Sequence, residues 1–116
     1  MAPPLPHQPV RGSATGRPIM AALDLLGRRW CLRILWELRG PSLTFRALQG
    51  ACGEMSPSVL QQRLKELRAA RLVDHAGDGY GLSGRARELL PVLLALQDWS
   101  RLWAADLEPP PGSAPD

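Results

Sequence analysis

The fold is decided by residues 44–70, which read TFRALQGACGEMSPSVLQQRLKELRAA. Thr44 is suited to cap a short helix with Phe45 and Leu48 facing inward. A connection of about four residues that contains Gly follows, and Ser56-Pro57 then has the chemistry of a helix start. The second helix is predicted to run to about Ala70, and its inward stripe is Leu60, Leu64 and Leu67. This order predicts a helix-turn-helix.

The outer face of the second helix has side chains suited to DNA. Gln pairs bidentately with adenine, Ser reaches bases or phosphates, and Lys and Arg neutralise phosphates. An ordinary solvated helix would show the same residue types, but the Gly-containing turn, the Ser-Pro start and a following hairpin favour a helix that reads DNA. The predicted DNA-contacting residues are Thr44, Arg46, Ser56, Ser58, Gln61, Gln62, Arg63, Lys65 and Arg68.

The flanking sequence predicts a mainly α fold with a small β-hairpin, a winged helix-turn-helix. Two helices precede the motif, one from Pro18 to Gly27 and one over about 28–39. A strand over 71–75, a turn at Gly77-Asp78-Gly79 and a second strand over 80–82 would form the wing. A last helix begins at Ser83 and runs to about Asp106, with a bend or a restart at Pro91. Its apolar stripe is too wide for one neighbour, which predicts dimerisation through the first and last helices.

Composition sets the domain limits. The Pro-rich segment 1–16 and the segment 108–116, which ends PPPGSAPD, are predicted to be disordered tails around a domain at 17–107. The Pro-rich start lacks the apolar core of a signal peptide, and no apolar run approaches the length of a membrane span, so we expect a cytoplasmic protein. Two Cys and two His without zinc spacing predict neither a disulfide scaffold nor a metal site, and no cofactor is expected. No nucleophile with a placed base is recognisable, so an enzyme is not expected.

The charge is distributed unevenly along the chain. Residues 28–71 contain nine basic and three acidic residues, whereas residues 72–116 contain three basic and seven acidic ones. A middle segment that faces a polyanion would explain this asymmetry, and ordinary solvated charge would explain it equally.

Five segments together resemble one family, the HxlR-type winged-helix regulators. They are LLGRRW at 25–30, ILWEL at 34–38, TFRAL at 44–48, MSPSVLQQRLKEL at 55–67 and LLPVL at 89–93. The resemblance covers roughly residues 17–103. It implies a homodimer, built from the first and last helices, that binds two half-sites of a near-palindromic operator in double-stranded DNA.

Four departures from the family pattern stand out. Arg17 occupies the place where many members have a redox-sensing Cys, Ser58 the place of a common basic residue, and Arg71 the place of a usual Gly. The wing has no Arg between Val73 and Ser83. Simple thiol sensing is therefore not expected, and DNA binding should be weaker or differently specified.

The tryptophans allow two interpretations. Trp36 is placed on one helix face with Arg29 and Arg33, so we expect it to stack on those arginines or to be buried by a partner. Trp99 and Trp103 are one turn apart, which suits either a dimer core or an aromatic-lined pocket for a planar effector. The candidate pocket residues are Arg17, Arg29, Arg33, Trp36, Trp99 and Trp103.

The cysteines are assigned different settings. Cys31 falls on a buried stripe and is expected to be an inert core thiol, whereas Cys52 falls in the turn and is expected to be partly exposed.

Two functions remain open on these grounds. One is a dimeric, sequence-specific transcriptional regulator. The other is a winged-helix scaffold that binds a small aromatic ligand or a protein partner, with DNA binding weakened or lost.

Overall fold

The computed structural model describes residues 3–7 and 17–107. The rest of the two predicted tails lies outside the described residues. Within residues 3–7, Pro3 and Pro4 are buried, whereas the sequence predicted a disordered tail over residues 1–16. The described helices and strands follow in the order α1 (Pro18–Leu26), α2 (Cys31–Glu37), β1 (Leu43–Thr44), α3 (Phe45–Ala51), α4 (Pro57–Ala69), β2 (Val73–Ala76), β3 (Gly79–Leu82), α5 (Gly84–Arg87) and α6 (Leu90–Asp106).

The first two helices meet at a tight turn. Pro18 opens α1 and Gly27 caps its end, as predicted. A Cβ on Gly27 would lie 2.7 Å from the carbonyl oxygen of Leu23, so the backbone passes too closely for any larger residue. The second helix is shorter than predicted and begins at Cys31, because Trp30 adopts a left-handed φ of 78° that no α-helical residue has.

The helix-turn-helix is built by backbone hydrogen bonds at the end of α3. The hydroxyl of Thr44 caps the start of this helix by accepting from the N–H of Ala47 at 3.1 Å. At its end, the N–H groups of Gly53 and Glu54 donate to the carbonyls of Gly50 and Gln49, both at distances near 3 Å (3.0 and 2.9 Å). This is a Schellman closure, and it requires the left-handed φ of 73° at Gly53. It ends α3 abruptly and turns the chain toward α4.

The wing is a three-stranded antiparallel sheet rather than a hairpin alone. Strands β2 and β3 pair from Val73↔Leu82 to Ala76↔Gly79, and the φ of 62° at Gly77 suits the first loop position of a type II′ turn. Strand β1 adds to the other edge of β3, which gives the order β1-β3-β2. The sequence did not predict β1, because two residues are too few to show a period.

The predicted last helix is divided in two. Ser83 caps α5 by accepting from the N–H of Ala86 at 3.1 Å, and α6 begins at Leu90. Pro91 lies in the first turn of α6, where its missing N–H is tolerated. A single helix could not pass through Pro91, since its ring would clash with the carbonyl of Arg87. The predicted restart at Pro91 is thus the observed arrangement.

The core lies between the helices and the wing. The inward leucines predicted on α3 and α4 are buried, together with Met55, Val73, Leu82, Ala86 and Leu93. Phe45 is only half-buried, and Ile19 and Leu23, which helical spacing places on one stripe of α1, are exposed. Within residues 90–106, Leu93 is the one buried side chain, so most apolar residues of α6 face outward. None of the helices described here combines the length and apolarity that crossing a membrane requires.

Candidate nucleic-acid interface

Helix α4 separates its side chains into two faces. Leu60, Leu64 and Leu67 are fully or almost fully buried. The opposite face is exposed and contains Ser58, Gln61, Gln62, Lys65 and Arg68. Ser56, Thr44 and Arg46, the other predicted contact residues outside this helix, are exposed as well. The helix thus presents amide, hydroxyl and cationic groups to solvent along one side.

The first turn of α4 differs from the prediction. Ser56 occupies the N-cap position, but its hydroxyl accepts no cap hydrogen bond from the described residues and instead lies 3.0 Å from the Ser58 hydroxyl. The backbone explains this difference. Thr44 and Ser83, whose side chains do cap their helices, have ψ angles of 163° and 168°. At Ser56 the ψ angle is only 129°. Two hydroxyls and the first amides of α4 therefore lie together at the exposed start of the helix.

A side chain that sequence reasoning missed secures the turn. The Nε2 of Gln49 donates to the carbonyl oxygen of Met55 at 3.0 Å. Met55 is buried, so this bond ties α3 to the residue just before the start of α4. The relative placement of the two helices is thus fixed by both the Schellman closure and this bond.

Arg63 does not face outward as predicted. Its Nη1 donates to Glu66 Oε1 at 2.6 Å and its Nε to the carbonyl oxygen of Arg29 at 2.9 Å. Arg28 pairs with the other oxygen of the same carboxylate. Glu66 is only 2% exposed, and a buried carboxylate requires such cationic partners. Nothing in the sequence separates Glu66 from an ordinary surface glutamate, because helical spacing places it off the inward leucine stripe.

These pairs narrow the basic surface that the sequence predicted. Arg28 and Arg63 are both engaged with Glu66, and Arg33 is paired with Glu37 at 2.8 Å. Among the predicted DNA-contacting residues, the exposed cations are Arg46, Lys65 and Arg68.

A polar groove runs between α4 and the wing. It has a volume of about 600 Å³ and is lined by Lys65, Arg68, Ala69, Val73, Asp74 and His75. The His75 ring stacks on Tyr80 of the neighbouring strand, with centroids 4.0 Å apart and planes 5° from parallel. Two exposed cations of α4 therefore line the same groove as an imidazole of the wing.

Trp36 stacks on a different arginine from those predicted. The guanidinium carbon of Arg39 lies 4.0 Å from the Trp36 ring centroid. The Nη1 of Arg39 also donates to the Trp36 carbonyl at 2.8 Å, which holds the guanidinium over the ring. The predicted partners are occupied elsewhere, since Arg33 bonds Glu37 and the carbonyl of Ala51, both at 2.8 Å, and Arg29 lies over Trp30.

The predicted ligand pocket is only partly assembled. A cavity of about 370 Å³ separates α2 from α6 and is lined by Leu32, Arg33, Trp36, Leu93, Leu96, Gln97 and Ser100. Arg17, Arg29, Trp99 and Trp103 are not among its lining residues. Trp99 and Trp103 instead stack on each other at the surface, with centroids 5.6 Å apart, and are 55% and 54% exposed.

Both cysteines are buried. For Cys31 this is as predicted, but Cys52 is only 1% exposed, and the prediction of a partly exposed thiol is wrong. The Schellman closure turns the Cys52 side chain into the core while Gly53 and Glu54 take the surface. Burial raises the pKa of both thiols above the ordinary value of 9.0, against smaller lowering effects of Arg63 and Arg28 on Cys31 and of Arg33 on Cys52.

Comparisons with known proteins agree with this arrangement. An uncharacterized HTH-type transcriptional regulator of Bacillus subtilis, YvaP, is 29% identical over 89 residues, which cover 71% of this chain and 82% of YvaP. An uncharacterized HTH-type transcriptional regulator of Methanocaldococcus jannaschii is 26% identical over 72% of this chain and 83% of its own length.

Solved structures share the fold. The quinone-bound YodB of Bacillus subtilis has a TM-score of 0.68 and 27% identity, covering 72% of this chain and 96% of that one. A MarR-family regulator of Enterococcus faecalis has a TM-score of 0.67 at 24% identity, covering 76% and 86%.

A family model adds a direct assignment. The model described as HxlR-like helix-turn-helix matches residues 25–108, which confirms the resemblance drawn from the sequence motifs. The matched relatives are transcriptional regulators and not enzymes. The chain thus belongs to the HxlR-like helix-turn-helix family and is a winged-helix, DNA-binding transcriptional regulator.

Proposed function

We propose that this regulator binds a near-palindromic operator as a homodimer and reads each half-site with α4 in the major groove. The observation that carries the proposal is the division of α4 into a buried leucine face and an exposed face of Ser, Gln, Lys and Arg. A recognition helix in this class contacts base edges with its N-terminal part. Gln61 and Gln62 lie there, and the amide of Gln suits the adenine edge.

Phosphate contacts are assigned to three places. Lys65 and Arg68 line the groove between α4 and the wing, where a DNA strand that leaves the major groove would run. Thr44 and Arg46 at the start of α3 form a second contact region. The paired hydroxyls of Ser56 and Ser58 form the third, beside the amides of the first turn of α4. Arg63 is left out of the contact set, because its guanidinium is bonded inside the protein.

The outward apolar residues of α1 and α6 support the dimer. The exposed large apolar residues are Ile19, Leu23, Leu32, Val92, Leu94, Leu96, Trp99, Leu102, Trp103 and Leu107. All of them except Leu32 belong to α1 and to α6 with its capping residue. A monomer rarely leaves so many large apolar side chains of two helices exposed to water, and a second copy would cover them.

The DNA-binding proposal is tested with the purified protein and a pool of random duplexes. Wild-type protein should enrich one inverted repeat with half-sites about one helical turn apart. Gln62→Ala should change the enriched base at one position of each half-site. Lys65→Ala should weaken binding to every sequence and lower the salt slope by about one unit if Lys65 neutralises one phosphate. Arg101→Ala, an exposed arginine on α6, is the matched control and should bind like wild type.

Enrichment of no sequence by the wild-type protein would overturn the proposal of a sequence-specific operator. Unchanged binding by both the Gln62 and the Lys65 variants would remove α4 as the reading helix.

The cavity between α2 and α6 supports an effector site as a second candidate function. Its volume of about 370 Å³ lies within the range of small-molecule sites, and its walls combine Trp36 and leucines with Arg33, Gln97 and Ser100. YodB, which shares the fold, is known in a quinone-bound form. A planar, quinone-like molecule stacked against Trp36 would suit this cavity, and Arg33 or Gln97 would donate to its oxygens.

The effector candidate is tested by titrating the protein with tetramethylbenzoquinone, whose ring has no free position for thiol addition. We expect saturable binding by calorimetry and a shift in affinity for the selected duplex. Trp36→Leu should abolish binding, and Trp99→Leu, outside the cavity, should not. Saturable ligand binding by a protein that enriches no DNA sequence would instead favour a winged-helix scaffold whose DNA binding has been lost.

A further inference from the structure

We propose that Glu66 is a positioning residue, which sets the orientation of α4 and thereby the specificity of DNA binding without touching DNA itself. The inference rests on the proposed function of α4 as the reading helix. It concerns the triad of Arg28, Arg63 and Glu66, which neither the motif nor the contact residues account for.

The triad joins α4 to the turn between α1 and α2. One carboxylate oxygen of Glu66 accepts from Arg28, which lies in that turn, and the other accepts from Arg63 at 2.6 Å. The Nε of Arg63 donates to the carbonyl of Arg29 in the same turn at 2.9 Å. Trp30, with its left-handed φ of 78°, follows that carbonyl and turns its peptide plane. One cation and one carbonyl of a single turn, those of Arg28 and Arg29, are thus bonded to Glu66 and Arg63 of α4.

These bonds to the turn between α1 and α2 are directional, whereas the leucine packing of α4 beside them is not. Leucine packing on the inward side of α4 is short-ranged and tolerates a small rotation about the helix axis. A rotation of about 20° moves a side-chain tip that lies ~6 Å from the axis by roughly 2 Å. A bidentate contact to a base does not survive such a shift. Gln62 is one turn from Glu66 on the same helix, so a fixed rotation at Glu66 fixes the position of Gln62.

The turn also follows directly after α1. Arg28 is the second residue beyond α1, the helix whose exposed Ile19 and Leu23 we assign to the dimer interface. In a symmetric dimer the triad would therefore connect the interface to both reading helices, and the separation of the two helices would depend on it. We expect the triad to set the preferred spacing between half-sites.

The test compares the DNA affinity of Glu66→Gln with that of wild type. Three kinds of duplex are used: the duplex enriched by wild-type protein, a scrambled duplex, and versions of the enriched duplex with one base pair added to or removed from the spacer. Glu66→Gln keeps the side-chain shape but loses the charge. We expect about a tenfold or greater loss of affinity for the enriched duplex, a weaker preference for spacer length, and unchanged affinity and salt slope on the scrambled duplex. Glu88→Gln is the matched control, because Glu88 forms an i,i+3 pair with Arg85 at 2.6 Å at the surface.

Equal affinity of Glu66→Gln and wild type for the enriched duplex would overturn the inference. An equal loss on both duplexes, with a lowered Tm, would also overturn it, because it would show a purely structural role. Should Glu66→Gln fail to fold, Arg63→Lys serves in its place, since it keeps the charge and removes the Nε bond to Arg29.

A second measurement separates this inference from the proposed function. Residual dipolar couplings on the free protein report the angle between α2 and α4. We expect one well-defined angle in wild type and in Glu88→Gln, and an altered or averaged angle in Glu66→Gln. An unchanged angle overturns the inference whether or not the wild-type protein enriches a DNA sequence.

Discussion

The hydroxyl of Ser83 donates a hydrogen bond of 2.8 Å to the carbonyl oxygen of Arg71. The same hydroxyl accepts from the N–H of Ala86 at 3.1 Å, and the N–H of Ser83 donates to Leu72 at 3.0 Å. Ser83 therefore joins the exit of α4 to the start of α5, on either side of the wing. Arg71 has a φ of 60°, so this junction contains a residue in the left-handed conformation.

Ser83→Ala should destabilise the protein. The substitution removes the cap of α5 and the hydrogen bond from the Ser83 hydroxyl to the carbonyl oxygen of Arg71. We expect the free energy of unfolding to fall by about 1–2 kcal/mol, measured by urea denaturation. Ser58→Ala, on the exposed face of α4, is the control and should change stability by less than about 0.5 kcal/mol. Equal stability of the two variants would contradict the role assigned to Ser83.

Arg71→Gly should stabilise the protein. The N–H groups of Arg71 and Leu72 donate to Arg68 and Leu67 at 2.9 Å each, which is a Schellman closure with Arg71 at the left-handed position. A side chain in this left-handed conformation costs about 1 kcal/mol, and Gly removes that cost. Gly also gives the unfolded chain more conformational freedom, which offsets part of the gain in stability. We expect a net gain of about 0.5 kcal/mol in urea denaturation.

The control for this prediction is Arg68→Gly, three residues earlier and inside α4. It removes the same side chain from a right-handed helical position and should destabilise by about 1 kcal/mol. A loss of stability in both variants would show that the Arg71 side chain makes a contribution larger than its backbone strain.

Arg63→Ala and Lys65→Ala should have opposite consequences. Arg63 supports buried Glu66, so its removal should lower the free energy of unfolding by about 1–3 kcal/mol. Lys65 is exposed, so its removal should weaken DNA binding and leave the Tm nearly unchanged. Thermal denaturation and a salt-dependent DNA titration on each variant check both statements. An Arg63→Ala protein with the stability and the DNA binding of wild type would contradict the stabilising and positioning role assigned to the triad.

Leu102→Glu should produce monomers. Leu102 is 69% exposed on α6, within the apolar surface that we assign to the dimer. A carboxylate there would be buried without a partner on association, which disfavours the dimer. Light scattering and sedimentation measure the molecular mass, with Ala105→Glu as the control on the side of α6 that carries Asp98 and Arg101. A dimer of undiminished affinity in Leu102→Glu would remove α6 from the interface.

The two thiols should react slowly and make stability depend on pH. Burial raises the pKa of Cys31 and Cys52 in the folded state above 9.0, so the folded chain keeps these protons when the unfolded chain begins to lose them. The stability that they contribute is fully present below pH 9.0 and is lost as pH rises through the folded pKa.

Iodoacetamide should therefore label native protein far more slowly than urea-unfolded protein at neutral pH. Above pH 9.0 the free energy of unfolding should decline more steeply in wild type than in the Cys31→Ala, Cys52→Ala double variant. Fast labelling of Cys52 in the native protein would show that the turn opens and exposes it.

Local patterns were sufficient for much of the fold. The leucines of α4 recur at helical spacing, Thr44 and Ser83 have capping side chains, and Pro91 cannot continue a helix. Each of these features depends on a few neighbouring residues only. The same applies to the outward Gln and Lys of α4. The shortening of α2 was not predictable, since the left-handed φ of Trp30 follows from how the turn packs and not from any preference of Trp.

The tertiary structure decided which charges face the solvent and which are bonded within the protein. Arg63 and Lys65 look alike in the sequence, yet one is bonded to Glu66 and to a carbonyl 34 residues away, and the other faces the solvent. Trp36 likewise selects Arg39 over Arg33, because Arg33 is held by Glu37 and Ala51.

The sequence by itself determined the element order, the helix-turn-helix and the outward face of α4, because short-range periodicity and capping chemistry specify them. Only the tertiary structure decided the triad around Glu66, the burial of Cys52 and the limits of the α2–α6 cavity. These depend on contacts between residues far apart in the chain, and no local pattern encodes which distant partner a charged or polar side chain will find.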